Sequence, residues 1–295
     1  LATLDGVNTI SYFVIANCSS SASFGNVFSV RSSTINAAIR LLKYNSNFYT
    51  NVPKTTSGVT PIQSTYQSGW QMHSNIWDGA SSAFNYYLGS TSQGSVSNAG
   101  GTIATCTGVG MGRNLNSGAF LTGDYAEVIV YNIVVNETQR AIIENYLAAK
   151  YALTTSNDLY SFQGTHPNEV AGIGQESSTD NHTTSKGTGE VTIAGADDLD
   201  DGEYLIWGHD GGAIASQSTE IPVSLAGGAR MPREWVSDET GGDLGTVDIT
   251  FDMSAISIGA DPSEYRIITD ADGNFSNGTE NATVPVVVGT DFTFN

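Results

Sequence analysis

Asp270, Asp272 and Asn274 alternate around Gly273 in the run Asp270-Ala271-Asp272-Gly273-Asn274. That spacing brings three side-chain oxygens round one point of a tight loop. Ca2+ takes ~6–8 oxygen ligands, often from alternating Asp and Asn in a Gly-bearing loop. The run is therefore the candidate Ca2+ site, although the closing bidentate Glu of an EF-hand loop is missing. The competing reading is an Asx-rich turn, where the same residues are favoured for local reasons. A second acidic run, Asp197-Asp198-Leu199-Asp200-Asp201-Gly202, reads better as a solvated loop than as a cation site.

Catalytic patterns are weak. Glycan cleavage needs two carboxylates across a cleft or on one strand face, and the strand motif E-x-D-x-x-E does not occur. The nearest pair, Asp124 and Glu127, is spaced i, i+3, which puts the two on opposite faces of a strand. There is no HExxH and no G-x-S-x-G. His209-Asp210 lies in Gly208-His209-Asp210-Gly211-Gly212 and reads as a strand-end turn. Gly108-x-Gly110-x-Gly112 opens no helix that could hold a phosphate. The expectation is a non-enzymatic protein.

Sugar recognition asks for aromatic rings to meet C–H faces and for planar polar groups to meet hydroxyls. Trp70, Trp77, Tyr86 and Tyr87 fall in one hairpin region, and Arg113, Asn114 and Asn116 fall in one polar loop. Trp70, Trp77, Tyr86, Arg113, Asn114 and Asn116 are the candidate ligand-binding residues. Trp70 and Trp77 are an odd number apart, so a continuous strand shows only one of them on a given face. Cys18 and Cys106 are the only cysteines and form no CxxC pair. A disulfide between them, or two buried free thiols, are both open readings.

The elements that position these residues are short strands. Residues 9–16, 26–31, 37–43, 67–75, 82–89, 102–110 and 125–134 are β-rich and bounded by Gly, Ser, Asn or Asp. One segment departs from that pattern. Asn136 with Gln139 looks like a capping box, and Ile142, Ile143, Tyr146, Leu147 and Tyr151 recur at helical spacing. The sequence predicts one amphipathic helix over about 137–152, closing the first domain and packing on its sandwich.

Two resemblances follow. Gly123-Asp124-Tyr125-Ala126-Glu127-Val128-Ile129-Val130-Tyr131-Asn132, with the helix and Tyr146-Leu147-Ala148-Ala149-Lys150-Tyr151, resembles the end of laminin-G-like or concanavalin-A-like jelly-roll modules of bacterial surface proteins. Gly108–Asn114 and the hairpin around Tyr86-Tyr87-Leu88-Gly89 fit the same family. In the second half, Glu169–Gly174, Tyr204–Gly211, Arg233-Glu234-Trp235 and Asp270–Phe275 resemble a β-rich module of unknown function. That module follows the jelly roll in large exported Bacteroidota proteins. The resemblance implies adhesion or gliding motility, export by type IX secretion and a place at the cell surface.

Charge divides the chain and excludes partners. Residues 1–156 hold seven Lys or Arg and six Asp or Glu, whereas 157–295 hold four and 24. The net charge of -19 has the wrong sign for binding nucleic-acid phosphates. No apolar run reaches the ~18–20 residues of a membrane-spanning helix, so direct membrane insertion is not expected. The fold expected is all-β: a jelly-roll β-sandwich with one C-terminal helix over 1–155, then a smaller acidic antiparallel β-sandwich over 156–295. The strand patterns at both ends, Thr9–Ala16 and Asp291–Asn295, are read as a segment of a longer multidomain protein. The partners expected are glycans or other surface ligands.

Overall fold

The computed structural model describes residues 2–20, 24–32, 39–51, 61–103, 105–113, 120–256 and 261–295. The chain divides into two compact units. The first comprises residues 1–136 and 153–158, and the second comprises 137–152 and 159–295.

The first unit holds β1 (Thr9–Cys18), β2 (Phe24–Ser32), β3 (Ile39–Tyr44), β4 (Asn47–Asn51), β5 (Ile62–Thr65), β6 (Gln71–Asp78), β7 (Ala83–Leu88), β8 (Thr91–Val96), β9 (Cys106–Met111) and β10 (Gly123–Tyr131). They form two five-stranded antiparallel sheets, β10-β1-β6-β7-β8 and β5-β4-β3-β2-β9. The period-2 rule of strands decides the core. Ile10, Tyr12, Val14, Ala16 and Cys18 of β1 meet Phe28, Val30, Ile39, Leu41, Phe48 and Ile62 of the other sheet. β1 is buried along nearly its whole length, so Thr9–Ala16 reads as an almost unbroken apolar run rather than an alternating one.

The second unit begins with α1 (Glu137–Tyr151), followed by β11 (Asn168–Ser177), β12 (Asp180–His182), β13 (Thr184–Ser185), β14 (Val191–Ala194), β15 (Glu203–His209), β16 (Trp235–Thr240), β17 (Asp248–Asp252), β18 (Ile267–Thr269), β19 (Thr279–Asn281), β20 (Val286–Val288) and β21 (Asp291–Phe294). Its sheets run β12-β11-β15-β16 and β13-β14-β17-β21-β20, with β18-β19 as a separate ribbon. Leu205 and Trp207 of β15 pack with Val191 and Ile193 of the second sheet. Tyr204 and Ile206, on the opposite face, pack with Ala141, Ile142 and Ala149 of the helix. β15 is thus covered on both sides, and its sequence is correspondingly apolar throughout.

The helix was expected to close the first sandwich. It lies instead in the second unit, where its apolar stripe covers β11 and β15. Its N-terminus is held there by Asp180, whose carboxylate accepts the Glu137 and Thr138 backbone N–H groups at 3.1 and 3.0 Å. Glu144 is fully buried on α1, and the Arg140 guanidinium pairs with it at 2.5 Å. Among the described residues the fold is all-β apart from this helix and short 3₁₀ turns, as the sequence predicts.

Candidate ligand-binding surface

The structure separates the residues singled out for sugar binding. Trp77 is fully buried, and its indole N–H donates to the Ala99 carbonyl at 2.7 Å. Tyr86 is also fully buried, with Ser64 Oγ at 3.0 Å and His73 Nδ1 at 2.9 Å from its hydroxyl. Burial pushes the Tyr86 phenol well above its ordinary pKa. Neither ring can face a ligand. β6 and β7 lie between neighbours in their sheet, and the faces carrying Trp77 and Tyr86 look into the core. Tyr87, on the opposite face of β7, is buried too. Trp70, just before β6, is 44% exposed. Arg113 is exposed, with its guanidinium 5.9 Å from the ring of the exposed Phe120. Asn114 and Asn116 lie outside the described residues.

A different set of aromatic side chains is brought together on the outward face of the other sheet. Tyr44 pairs with Phe24 across β3 and β2, while Tyr49 pairs with Leu42 across β4 and β3. Phe24, Tyr44 and Tyr49 therefore share one face, and Lys43 and Phe48 point to the core side. The Phe24 and Tyr44 ring centroids are 5.9 Å apart, and those of Tyr44 and Tyr49 6.2 Å apart. Tyr44 is 46% exposed; Phe24 and Tyr49 are half-buried. Register places Asn47, Gln63 and Thr65 on the same face, because Tyr49 pairs with Gln63 and Asn47 with Thr65.

Local chemistry fixes this hairpin. Asn45 sits at its tip with φ 52°, a conformation that Asn tolerates better than most residues. The Lys43 ammonium donates to the Asn45 carbonyl at 3.1 Å and lies 4.5 Å from the Tyr66 ring centroid. The Asn47 amide donates to the Tyr49 hydroxyl at 3.5 Å. The sequence signal available was Tyr44-Asn45-Ser46-Asn47, a two-residue turn between short strands. The strand after it, Asn47–Asn51, carries no apolar alternation dense enough to mark it in the sequence.

Cys18 and Cys106 are buried free thiols, the second of the two open readings, and not a disulfide. Both occupy the apolar core, and burial pushes the Cys18 thiol up to about 11, against a smaller opposite effect of Lys43.

In the Asp270 loop the oxygens are engaged locally. Asp270 Oδ1 accepts the Asp272 and Asn274 backbone N–H groups at 2.8 and 3.0 Å, and Asp272 Oδ1 also accepts from Asn274 N at 3.0 Å. Asn274 Oδ1 accepts from Ser276 N at 3.3 Å and from its hydroxyl at 2.6 Å. The hydrogen bonds to Asp270 itself, the one from Asp272 N first, hold its carboxyl below the usual range. Among the described residues no three His, Cys, Asp or Glu side chains gather as a metal site. The loop fits a self-closed Asx turn better than an open ligand cage. EDTA is therefore expected to leave the melting temperature unchanged in a calorimetric scan. A fall of several degrees that Asp270→Asn abolishes would place a divalent cation at Asp270, Asp272 and Asn274. Asp197, in the second acidic run, accepts from Thr246 N at 2.8 Å and Thr246 Oγ1 at 3.0 Å, which fits the solvated-loop reading.

These features define an antiparallel β-sandwich carrying a shallow aromatic and amide surface, accompanied by a helix-backed β unit. The chain belongs to the family described as Domain of unknown function (DUF8202), whose model matches residues 139–295, more than half of the chain. That match begins inside the helix assigned to the second unit. No curated protein matches the chain. Among solved structures it is similar to a native heptameric SAP-like pentraxin from Limulus polyphemus, at 16% identity over 48% of this chain and 72% of that one, with a TM-score of 0.41. It is also similar to the Ruminococcus gnavus IT-sialidase CBM40 bound to α2,3-sialyllactose, at 14% identity over 46% and 82%, with a TM-score of 0.38. A leech intramolecular trans-sialidase is similar at 13% identity over 82% of this chain and 33% of that one, with a TM-score of 0.39. These are loose likenesses.

Proposed function

We propose that this chain is a non-catalytic binding segment of an exported bacterial surface adhesin, and that its first unit grips glycans through Phe24, Tyr44 and Tyr49. The observation that carries the proposal is the trio of neighbouring rings on one sheet face, Tyr44 exposed and Phe24 and Tyr49 half-buried, with the amides of Asn47 and Gln63 beside it. Rings with apolar faces and polar edges suit sugar C–H groups at low entropic cost, and the amides answer hydroxyls in both donor and acceptor roles. Contact on so open a face is weak per copy, and many copies along a cell would supply avidity. The negative charge gathered in residues 157–295 suits a protein that must stay soluble outside the cell.

A glycan array probed with the full chain tests this. Binding is expected, and Tyr44→Ala with Tyr49→Ala should weaken it about tenfold, or about 1.4 kcal/mol. Silence across the array would sink the proposal in favour of a structural spacer. Turnover of any polysaccharide would overturn its non-catalytic part.

A further inference from the structure

The second unit contains a polar pocket of about 460 Å3, lined among others by Lys150, Glu169, Thr188, His209 and Arg233. Its walls come from the last turns of α1, the start of β11, and the segments beyond β15 and before β16. Backbone strain points to it first. Glu169 has φ 52° within a strand, at the place where the β11–β15 register slips between Asn168 and Ala171. A non-Gly residue held there costs roughly 1–3 kcal/mol, and bulges of this kind re-aim side chains.

The bulge delivers the Glu169 carboxylate to His209, with 3.0 Å between Oε2 and Nε2. His209 is itself buried, and its Nδ1 accepts the Gly211 N–H at 2.9 Å. The hydrogen-bond pattern thus assigns the ring proton to Nε2, which donates it to Glu169. Gly211 reaches that position with φ 86°. Asn168 Nδ2 donates to the His209 carbonyl at 3.0 Å, and the Trp235 ring packs against the imidazole. Arg233 is fixed as firmly. Its Nε donates to the Gly212 carbonyl at 2.8 Å and its Nη1 to Glu190 at 2.7 Å, with Glu169 at 3.8 Å.

This scaffold leaves Glu169 Oε1, Arg233 Nη2 and the Thr188 hydroxyl without protein partners among the described residues. A carboxylate acceptor therefore stands beside a guanidinium donor, both preorganised, with the Tyr146 side chain on the pocket wall. Adjacent sugar hydroxyls match that pair, one donating to the carboxylate and the next accepting from the guanidinium. An anion would meet Glu169 and Glu190 on either side of Arg233. Acid–base chemistry is poorly served, since both His209 nitrogens are engaged and one guanidinium bridges the two carboxylates. The volume suits one or two pyranose rings.

We infer that this pocket is a binding site for a neutral mono- or disaccharide with vicinal hydroxyls, held by Glu169, Arg233 and Thr188. It is a second site, independent of the aromatic face of the first unit. The test uses the full chain carrying Tyr44→Ala and Tyr49→Ala, so that failure here and failure of the first reading are told apart. Galactose, mannose, fucose, N-acetylglucosamine and lactose are offered separately at up to about 10 mM and followed by saturation-transfer difference NMR, against a dissociation constant expected near ~1 mM. Binding of at least one sugar is expected, weakened at least tenfold by Glu169→Gln and several-fold by Thr188→Val. Thr188→Val leaves the His209 and Arg233 hydrogen bonds intact, so it decides the matter should Glu169→Gln fail to fold. Silence from all five sugars, or binding that Thr188→Val does not weaken, overturns the inference.

Discussion

Acidification from pH 7 to 5 should lower the stability of the first unit by about 2 kcal/mol through one side chain, His73. The imidazole is fully buried on the core face of β6, and desolvation drives its pKa from 6.5 to about 3. Its Nδ1 lies 2.9 Å from the Tyr86 hydroxyl, and its Nε2 has no partner among the described residues. The unfolded chain takes up a proton near pH 6.5, while the folded chain refuses one until about pH 3. The native state therefore loses ground as the pH falls between those values, by about 1.4 kcal/mol per unit, and the loss levels off below about 3. Above 6.5 both states are neutral and this contribution to the pH dependence vanishes. Calorimetry of the full chain at pH 7, 6 and 5 measures the slope. His73→Gln keeps a polar group and removes the titration, so its transition should move much less. Equal slopes in the two proteins would show that carboxylates elsewhere govern the acid response.

His73 belongs to a set of buried polar groups that the sequence hides well. Tyr12 Oη, both side-chain polar atoms of Asn75 and Gln71 Oε1 are likewise buried without partners among the described residues. Register places Tyr12 directly opposite Asn75 and Val14 opposite His73. Polar atoms in such a place cost free energy unless water or another group answers them. In the sequence, Gln71, His73 and Asn75 alternate with Met72, Ser74 and Ile76. That pattern suggests a strand with its polar side in solvent, whereas the fold buries both faces and turns the polar side to the core. Strand existence was legible wherever apolar residues were dense, as in Thr9–Ala16, and the helix was legible from its spacing. The short strands Asn47–Asn51, Ile62–Thr65 and Thr91–Val96 were not, because their polar residues resemble loop. The aromatic face was lost with them, since Tyr44, Tyr49 and Phe24 meet only through strand pairing. The helix posed a different problem. An apolar stripe states that a helix must cover a sheet, but not which one; Ile142 and Ala149 find Tyr204 and Ile206, more than fifty residues away. The His209 pocket was hidden for a related reason: its pairing with Glu169 depends on a bulge that no local residue pattern announces.

Trp77→Ala should destabilise the first unit by roughly 3–5 kcal/mol, the usual range for deleting a fully buried large aromatic side chain. Trp77 is packed in the core cluster with Ile10, Phe84 and Ala99, and no water reaches its ring. Truncation opens a cavity that neighbours on two hydrogen-bonded sheets can only partly fill, and it strips the Ala99 carbonyl of its indole donor. Against a total stability of ~5–15 kcal/mol, that loss brings the unit close to unfolding at growth temperature. Trp77→Phe separates the two contributions: it keeps most of the ring volume, loses the hydrogen bond and should cost about 1–3 kcal/mol. Urea unfolding of the full chain followed by far-ultraviolet circular dichroism gives both numbers from the midpoint shift of the affected transition. The same variant distinguishes a structural tryptophan from a sugar platform. A platform residue, once removed, would leave the transition in place and weaken glycan binding. A core residue should lower stability, while Trp77→Phe still binds as the parent does. A Trp77→Ala protein of unaltered stability and reduced glycan affinity would return Trp77 to the surface and displace Tyr44 and Tyr49 as the centre of recognition.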